Sequence, residues 1–268
     1  MDDPQQSTGK PKQTAARVAG MLFGGGLGLS LVFGLNDPAD PLGQAAFLPL
    51  LFLLIPVASF QSYIYLKRKL PVAPKRKRYL ITIATQLILL VLGMRLAFHL
   101  APQWFRPVLG PPEASLIGAT VAGAAMLGAY RKWKQPGGIQ NRIQATLLPT
   151  TAAEILLWIP VALLAGTAEE VAYRGVAVTL VFRWTGSMAL AVGVSVEAFG
   201  LAHVANGGRA VLGTVVIGLT MQLVFILTGT LYLPMLVHAI YDLLLGVMFL
   251  WMVRRAPEAP QPAPLPSG

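Results

Sequence analysis

Within AGTAEEVAYRGVAV (165–178), Glu169, Glu170 and Arg174 place three formal charges in six residues of an otherwise apolar run. An unpaired charge in the bilayer interior is costly, so ionisable residues there mark functional sites or paired networks. On a helix, Glu170 and Arg174 are four apart, face one side and can form an ion pair. Glu169 is turned about 100° from its neighbour and needs a separate account. A glutamate in an apolar pocket suits a general base working near neutral pH. A buried salt bridge that locks two helices is the alternative reading of the same residues.

Two further groups lie on later apolar runs. In SVEAFGLAHVANGG (195–208), Phe199 and His203 are four apart, so the ring can pack on the imidazole and shape its pocket. In TGTLYLPMLVHAIYD (228–242), His238 and Asp242 share one helical face. They can bind a metal jointly, or the carboxylate can orient the ring and fix its tautomer. Each group alone also reads as polar side chains satisfying one another. Together, a glutamate base, two imidazoles and an acid are the parts of a site that activates water for hydrolysis. The third histidine, His99, ends the 79–101 run and reads as interfacial.

EEVAYR, FGLAH and HAIYD, in that order on successive late runs, resemble the motifs of the CPBP family of intramembrane proteases. That family includes the CAAX prenyl endopeptidases and the bacteriocin-processing and self-immunity (Abi) proteins. Pro234, four residues before His238, adds to the likeness, which covers roughly residues 150–250. The resemblance implies Glu169 as the base that activates water, with Glu170 and Arg174 in support and Glu170 able to share the acid/base work. It implies that His203 and His238 bind a metal or the oxyanion and that Asp242 completes the set. Phe199 and Tyr173 are expected to line the substrate pocket. If the enzyme is a metalloprotease, Glu169, His203, His238 and Asp242 would hold Zn2+; a metal-free site driven by the glutamate is the competing picture. Glu197 stands where the family has an apolar or small residue, about 240° round the helix from His203. It is expected to face elsewhere, pairing with Arg183 or Arg209 or lining a water-accessible cavity.

The elements that must position these residues follow from composition. Of 268 residues, 55% are hydrophobic and 12% charged, about half the charged share of a soluble domain. Apolar runs fall at about 15–35, 47–66, 79–101, 115–130, 151–183, 188–204, 211–229 and 231–253. Several approach the roughly 20 residues that cross a bilayer as a helix, and none alternates with the period of two that a barrel strand needs. The expectation is an all-α polytopic membrane bundle of about eight transmembrane helices. A polar tail (1–14) would precede a membrane domain at 15–253, and a Pro/Ala-rich tail (254–268) would follow it, both tails disordered. The run at 151–183 is long for one crossing, and a break near Gly166 would split it in two.

Seven of the 21 basic residues lie in KRKLPVAPKRKR (67–78), between two apolar runs. This placement accounts for the net charge of +10 by topology and attraction to anionic lipid rather than by nucleic-acid binding. Loop charges alternate along the chain and place both termini in the cytoplasm, in what reads as a bacterial inner membrane. The absence of cysteine excludes disulfides and thiolate metal sites. The function expected is endopeptidase cleavage of membrane-associated peptides or proteins. In a bacterial host a prenylated substrate becomes the less expected one. A non-catalytic immunity or scaffold protein is the alternative. A transporter is a weaker one, because neither an inverted repeat nor paired interrupted helices are visible.

Overall fold

The computed structural model describes residues 41–135, 138 and 142–255. The expected tail at 1–14, the expected span at 15–35 and the end of the chain from 256 lie outside them. α1 runs through Pro41–Pro49, a π-helical stretch Leu50–Leu54 and Ile55–Lys67. It is followed by α2 (Lys75–Leu100), α3 (Pro112–Lys134), the short α4 (Arg142–Leu147) and α5. α5 is continuous through Ala152–Glu169, a π-helical stretch Glu170–Ala177 and Val178–Thr185. α6 (Met188–Ala202), α7 (Gly208–Thr228) and α8 (Tyr232–Arg255) complete the chain, and no strand occurs among the described residues. Arg254 and Arg255, assigned from sequence to the tail, close the last turn of α8, where cations complement the helix dipole.

The protein is a helical membrane bundle, and the apolar runs among the described residues differ in length. Five described helices are long and apolar enough to span: Gln44–Lys67, Lys75–Leu100, Ala152–Thr185, Ala210–Thr228 and Tyr232–Arg255. α6 has 15 residues, about 22 Å at 1.5 Å per residue, short of the roughly 30 Å hydrocarbon layer. α3 is long enough but is rich in glycine and alanine and ends in Arg131, Lys132 and Lys134. Large apolar side chains point outward around the bundle, among them Leu116, Leu156, Val91 and Leu212. A surface of that kind belongs in lipid.

α5 is the axis of the fold. Half of its most apolar stretch is buried, against 22–33% for the other spanning helices. Thr151 caps its start, its hydroxyl accepting from the Glu154 amide at 3.2 Å. Gly186, in the left-handed region (φ +66°), ends it. α2 and α8 pack on its two sides. The break considered near Gly166 does not occur; that glycine is instead where α5 and α8 touch. A Cβ there would sit 2.6 Å from the Ala239 backbone nitrogen, so only glycine allows the two backbones to meet. The contact falls one turn before Glu170 and one residue past His238.

At the basic end, α2 is clamped to the segment that leads into α5. Lys75 Nζ reaches Glu154 Oε2 at 2.9 Å, Thr150 Oγ1 at 2.9 Å and the Leu148 carbonyl at 3.1 Å. Arg78 and Tyr79 donate to the carbonyls of Thr146 and Leu147. Glu154 thus forms an ion pair with Lys75 at the start of α5. The basic loop therefore divides. Lys75 and Arg78 turn inward, while Lys67, Arg68, Lys69, Arg76 and Lys77 stay exposed.

Candidate active site

All eight residues of the π-helical stretch Glu170–Ala177 are buried. Such stretches are wider than an α-turn and recur at functional sites. This one is tied to α6 by Ser195 Oγ, which donates to the Tyr173 carbonyl at 2.5 Å. Because Glu169 and Glu170 are consecutive, their side chains diverge and serve different partners.

Glu170 belongs to the floor. It is fully buried; its Oε2 lies 3.2 Å from Arg174 Nε and its Oε1 2.7 Å from His238 Nδ1. The Arg174–Glu170 contact is an ion pair outside hydrogen-bond geometry, and neither Nη of Arg174 has a hydrogen-bond partner among the described residues. The guanidinium lies instead over the Phe199 ring, 4.1 Å from its centroid, a cation–π contact that strengthens when desolvated.

Glu169 faces the other way. Its Oε1 accepts from Gln86 Nε2 of α2 at 2.6 Å, and its Oε2 lies 3.9 Å from His203 Nε2. Oε2 is buried with no hydrogen-bond partner among the described residues, a costly condition that marks a position where a further polar group belongs. His203 Nδ1 is 2.9 Å from the Phe199 carbonyl. The carbonyl can only accept, so Nδ1 carries the hydrogen and Nε2 of the neutral ring is free to accept. His238 Nε2 looks toward Asp242 Oδ2 at 3.6 Å. The α8 backbone is held there by Trp158 Nε1, which donates to the Asp242 carbonyl at 2.9 Å.

The structure thus brings Glu169, Glu170, Arg174, His203, His238 and Asp242 into one cluster drawn from α5, α6 and α8. The side chains of His203 (26% exposed), Asp242 (20%) and Glu169 (12%) form its accessible rim. Phe199 and Tyr173, expected to line the substrate pocket, are each only 2% exposed. They pack beneath the cluster instead. Phe199 is its hub, with ring centroids 5.1 Å from Tyr173, 4.7 Å from His203 and 6.3 Å from His238. The four-residue spacing that places Phe199 under His203 also places its carbonyl on His203 Nδ1. Glu197 is exposed on the outer side of α6, and His99 is exposed near the end of α2.

Sequence reasoning missed Gln86, Ser195 and Trp158. Gln86 had a signal, as an amide inside the apolar run ITIATQLILLVLG; the other two had none beyond their polarity. Among the described residues, no three histidine or carboxylate donors are placed to hold a metal ion. The four residues of the expected zinc set meet in pairs, Glu169 with His203 and His238 with Asp242. They do not fit a metal as arranged, and no step below is routed through one.

Residues 151–244 match a family model described as Rce1-like, type II CAAX prenyl endopeptidase Rce1-like. The match covers 94 of the 268 residues, from α5 through the site residues of α8, and makes this region similar to the CAAX prenyl endopeptidase family. No match to the chain was found among curated proteins or among solved structures.

Proposed function

We propose that the protein is an intramembrane endopeptidase that cleaves membrane-associated peptides or proteins with Glu169 as its general base. One observation carries the assignment. Of the two adjacent glutamates, Glu170 is closed off between Arg174 and His238, while Glu169, whose side chain is partly exposed, turns toward His203 an oxygen with no hydrogen-bond partner among the described residues. A water within hydrogen-bond reach of both Glu169 Oε2 and His203 Nε2 is held for attack, since a gap of 3.9 Å is spanned by one water and not by a direct hydrogen bond.

Glu169 takes a proton from that water as its oxygen bonds to the scissile carbonyl carbon. The carbonyl π electrons move onto oxygen, and His238, donating Nδ1–H to Glu170 and held as an imidazolium between the Glu170 and Asp242 carboxylates, offers Nε2–H to the resulting oxyanion. Glu170 and Asp242 flank that ring and hold its orientation. As the C–N bond breaks, the proton on Glu169 passes to the departing amine. Arg174 and Phe199 keep Glu170, and through it His238, in place. The substrate approaches along the membrane, with a prenylated C-terminus as the variant that the matched family's description names.

The test is cleavage by purified protein in phospholipid vesicles. Two fluorescence-quenched probes are offered, a farnesylated peptide with a CAAX end and an unprenylated peptide carrying a single membrane span. The wild type is expected to cut at least one, and Glu169→Gln neither. A Glu169→Gln protein that cuts at the wild-type rate contradicts the assignment.

A further inference from the structure

The region that matches the protease family, residues 151–244, begins well after α2, yet α2 supplies a contact to the reacting carboxylate. We infer that Gln86 is a positioning residue for Glu169, fixing the carboxylate so that Oε2 is the oxygen left to meet water. The inference rests on the proposed role of Glu169 and deepens it.

A glutamate carboxylate ends three rotatable bonds, and its last torsion is broad and roughly two-fold. Nothing within α5 sets that torsion. The hydrogen bond at 2.6 Å from Gln86 Nε2 to Oε1 does, between two residues that are each 9% exposed. It occupies one oxygen and leaves the other 3.9 Å from His203 Nε2.

α2 is held firmly enough for this. Gln86, Leu89, Gly93 and Leu96 are all buried on α2, at spacings of three, four and three residues that form one helical stripe. Gly93 lies two turns past Gln86, and a Cβ there would be 3.1 Å from Val171 Cγ1. The backbone of α2 is thus fixed beside residues 169–171. The amide's own Oε1 is buried without a hydrogen-bond partner among the described residues. A packing role alone would be met better by an apolar side chain, because an orphaned buried acceptor is destabilising. The donor is what this position supplies.

The test joins stability with cleavage. Gln86→Met keeps the length and removes the donor; Gln86→His returns an N–H. In detergent melting, Gln86→Met combined with Glu169→Leu should lose several degrees less than the two single changes summed, because each single change strands a partner. Additive losses overturn the contact. In cells, new protein termini that depend on Glu169 should appear about 10- to 100-fold more slowly with Gln86→Met at equal folded protein, the scale expected from a misplaced catalytic group. Gln86→His should recover part of that rate, which a merely structural role does not predict. Glu169-dependent termini that form at the wild-type rate in Gln86→Met overturn the positioning role alone. Termini identical between wild type and Glu169→Gln overturn the base assignment, and this inference with it.

Discussion

At the residue scale, two adjacent glutamates divide two tasks. Glu170 holds Arg174 and His238 in a closed floor, and Glu169 turns its second carboxylate oxygen toward His203. Removing one member of a buried ion pair strands the other, at about 3–5 kcal/mol. Arg174→Ala should therefore lower the folded yield and the melting temperature in detergent far more than Arg76→Ala, whose side chain is exposed. Equal losses would remove the ion pair from the account. Because the donors meet only in pairs, purified protein should keep its cleavage rate after treatment with a strong zinc chelator. Loss of activity restored by Zn2+ would show that these donors rearrange to bind metal. The types and spacings of all six cluster residues were legible in the sequence, because charges inside apolar runs stand out. What each one touches was not. Helical spacing placed Glu170 beside Arg174, but only tertiary packing gives His238 to Glu170 rather than to Asp242 alone.

At the element scale, α5 carries the site because it is held on both sides and widened where the site begins. Gly166 sets the distance between α5 and α8, which in turn sets the 2.7 Å contact of Glu170 with His238. Gly166→Ala inserts a methyl 2.6 Å from the Ala239 nitrogen. Overpacking of that kind costs about 1–3 kcal/mol. The variant should melt lower and cleave more slowly although it leaves every polar group of the site in place. Unchanged melting and cleavage would show that the two helices separate there without consequence. The sequence placed the seven apolar runs of the described region, and each is helical. It left open whether 151–183 was one helix, since a 33-residue run exceeds a single crossing. The structure resolves this with an unbroken α5 whose irregularity is a π-helical stretch at Glu170 rather than a break at Gly166. A π-helical stretch has no residue signature comparable to a proline, so sequence alone does not reveal it. About eight transmembrane helices were expected from the apolar runs; seven of those runs lie in the described region, and α6, with 15 residues, is short for a full crossing.

At the scale of the whole molecule, charge and lipid-facing surface orient the bundle. Lys75 and Arg78 anchor α2 to the chain entering α5, whereas Lys67, Arg68, Lys69, Arg76 and Lys77 stay exposed at the same end. Exposed cations at a membrane surface gain about 1 kcal/mol each from anionic headgroups. The protein should therefore melt higher in vesicles containing phosphatidylglycerol than in phosphatidylcholine alone, with the difference shrinking as salt rises. Replacing the five exposed residues by glutamine should abolish that difference; a difference that persists would place the lipid contact elsewhere. The sequence singled out this loop as basic but could not show that two of its seven charges are structural.

The claim on which the rest depends is that Glu169 drives peptide-bond hydrolysis. Its most direct test compares protein termini in cells expressing the wild type or Glu169→Gln at equal membrane levels. The account predicts new termini, from membrane-associated proteins, with the wild type and none with Glu169→Gln. The same termini at the same abundance from both proteins would contradict it.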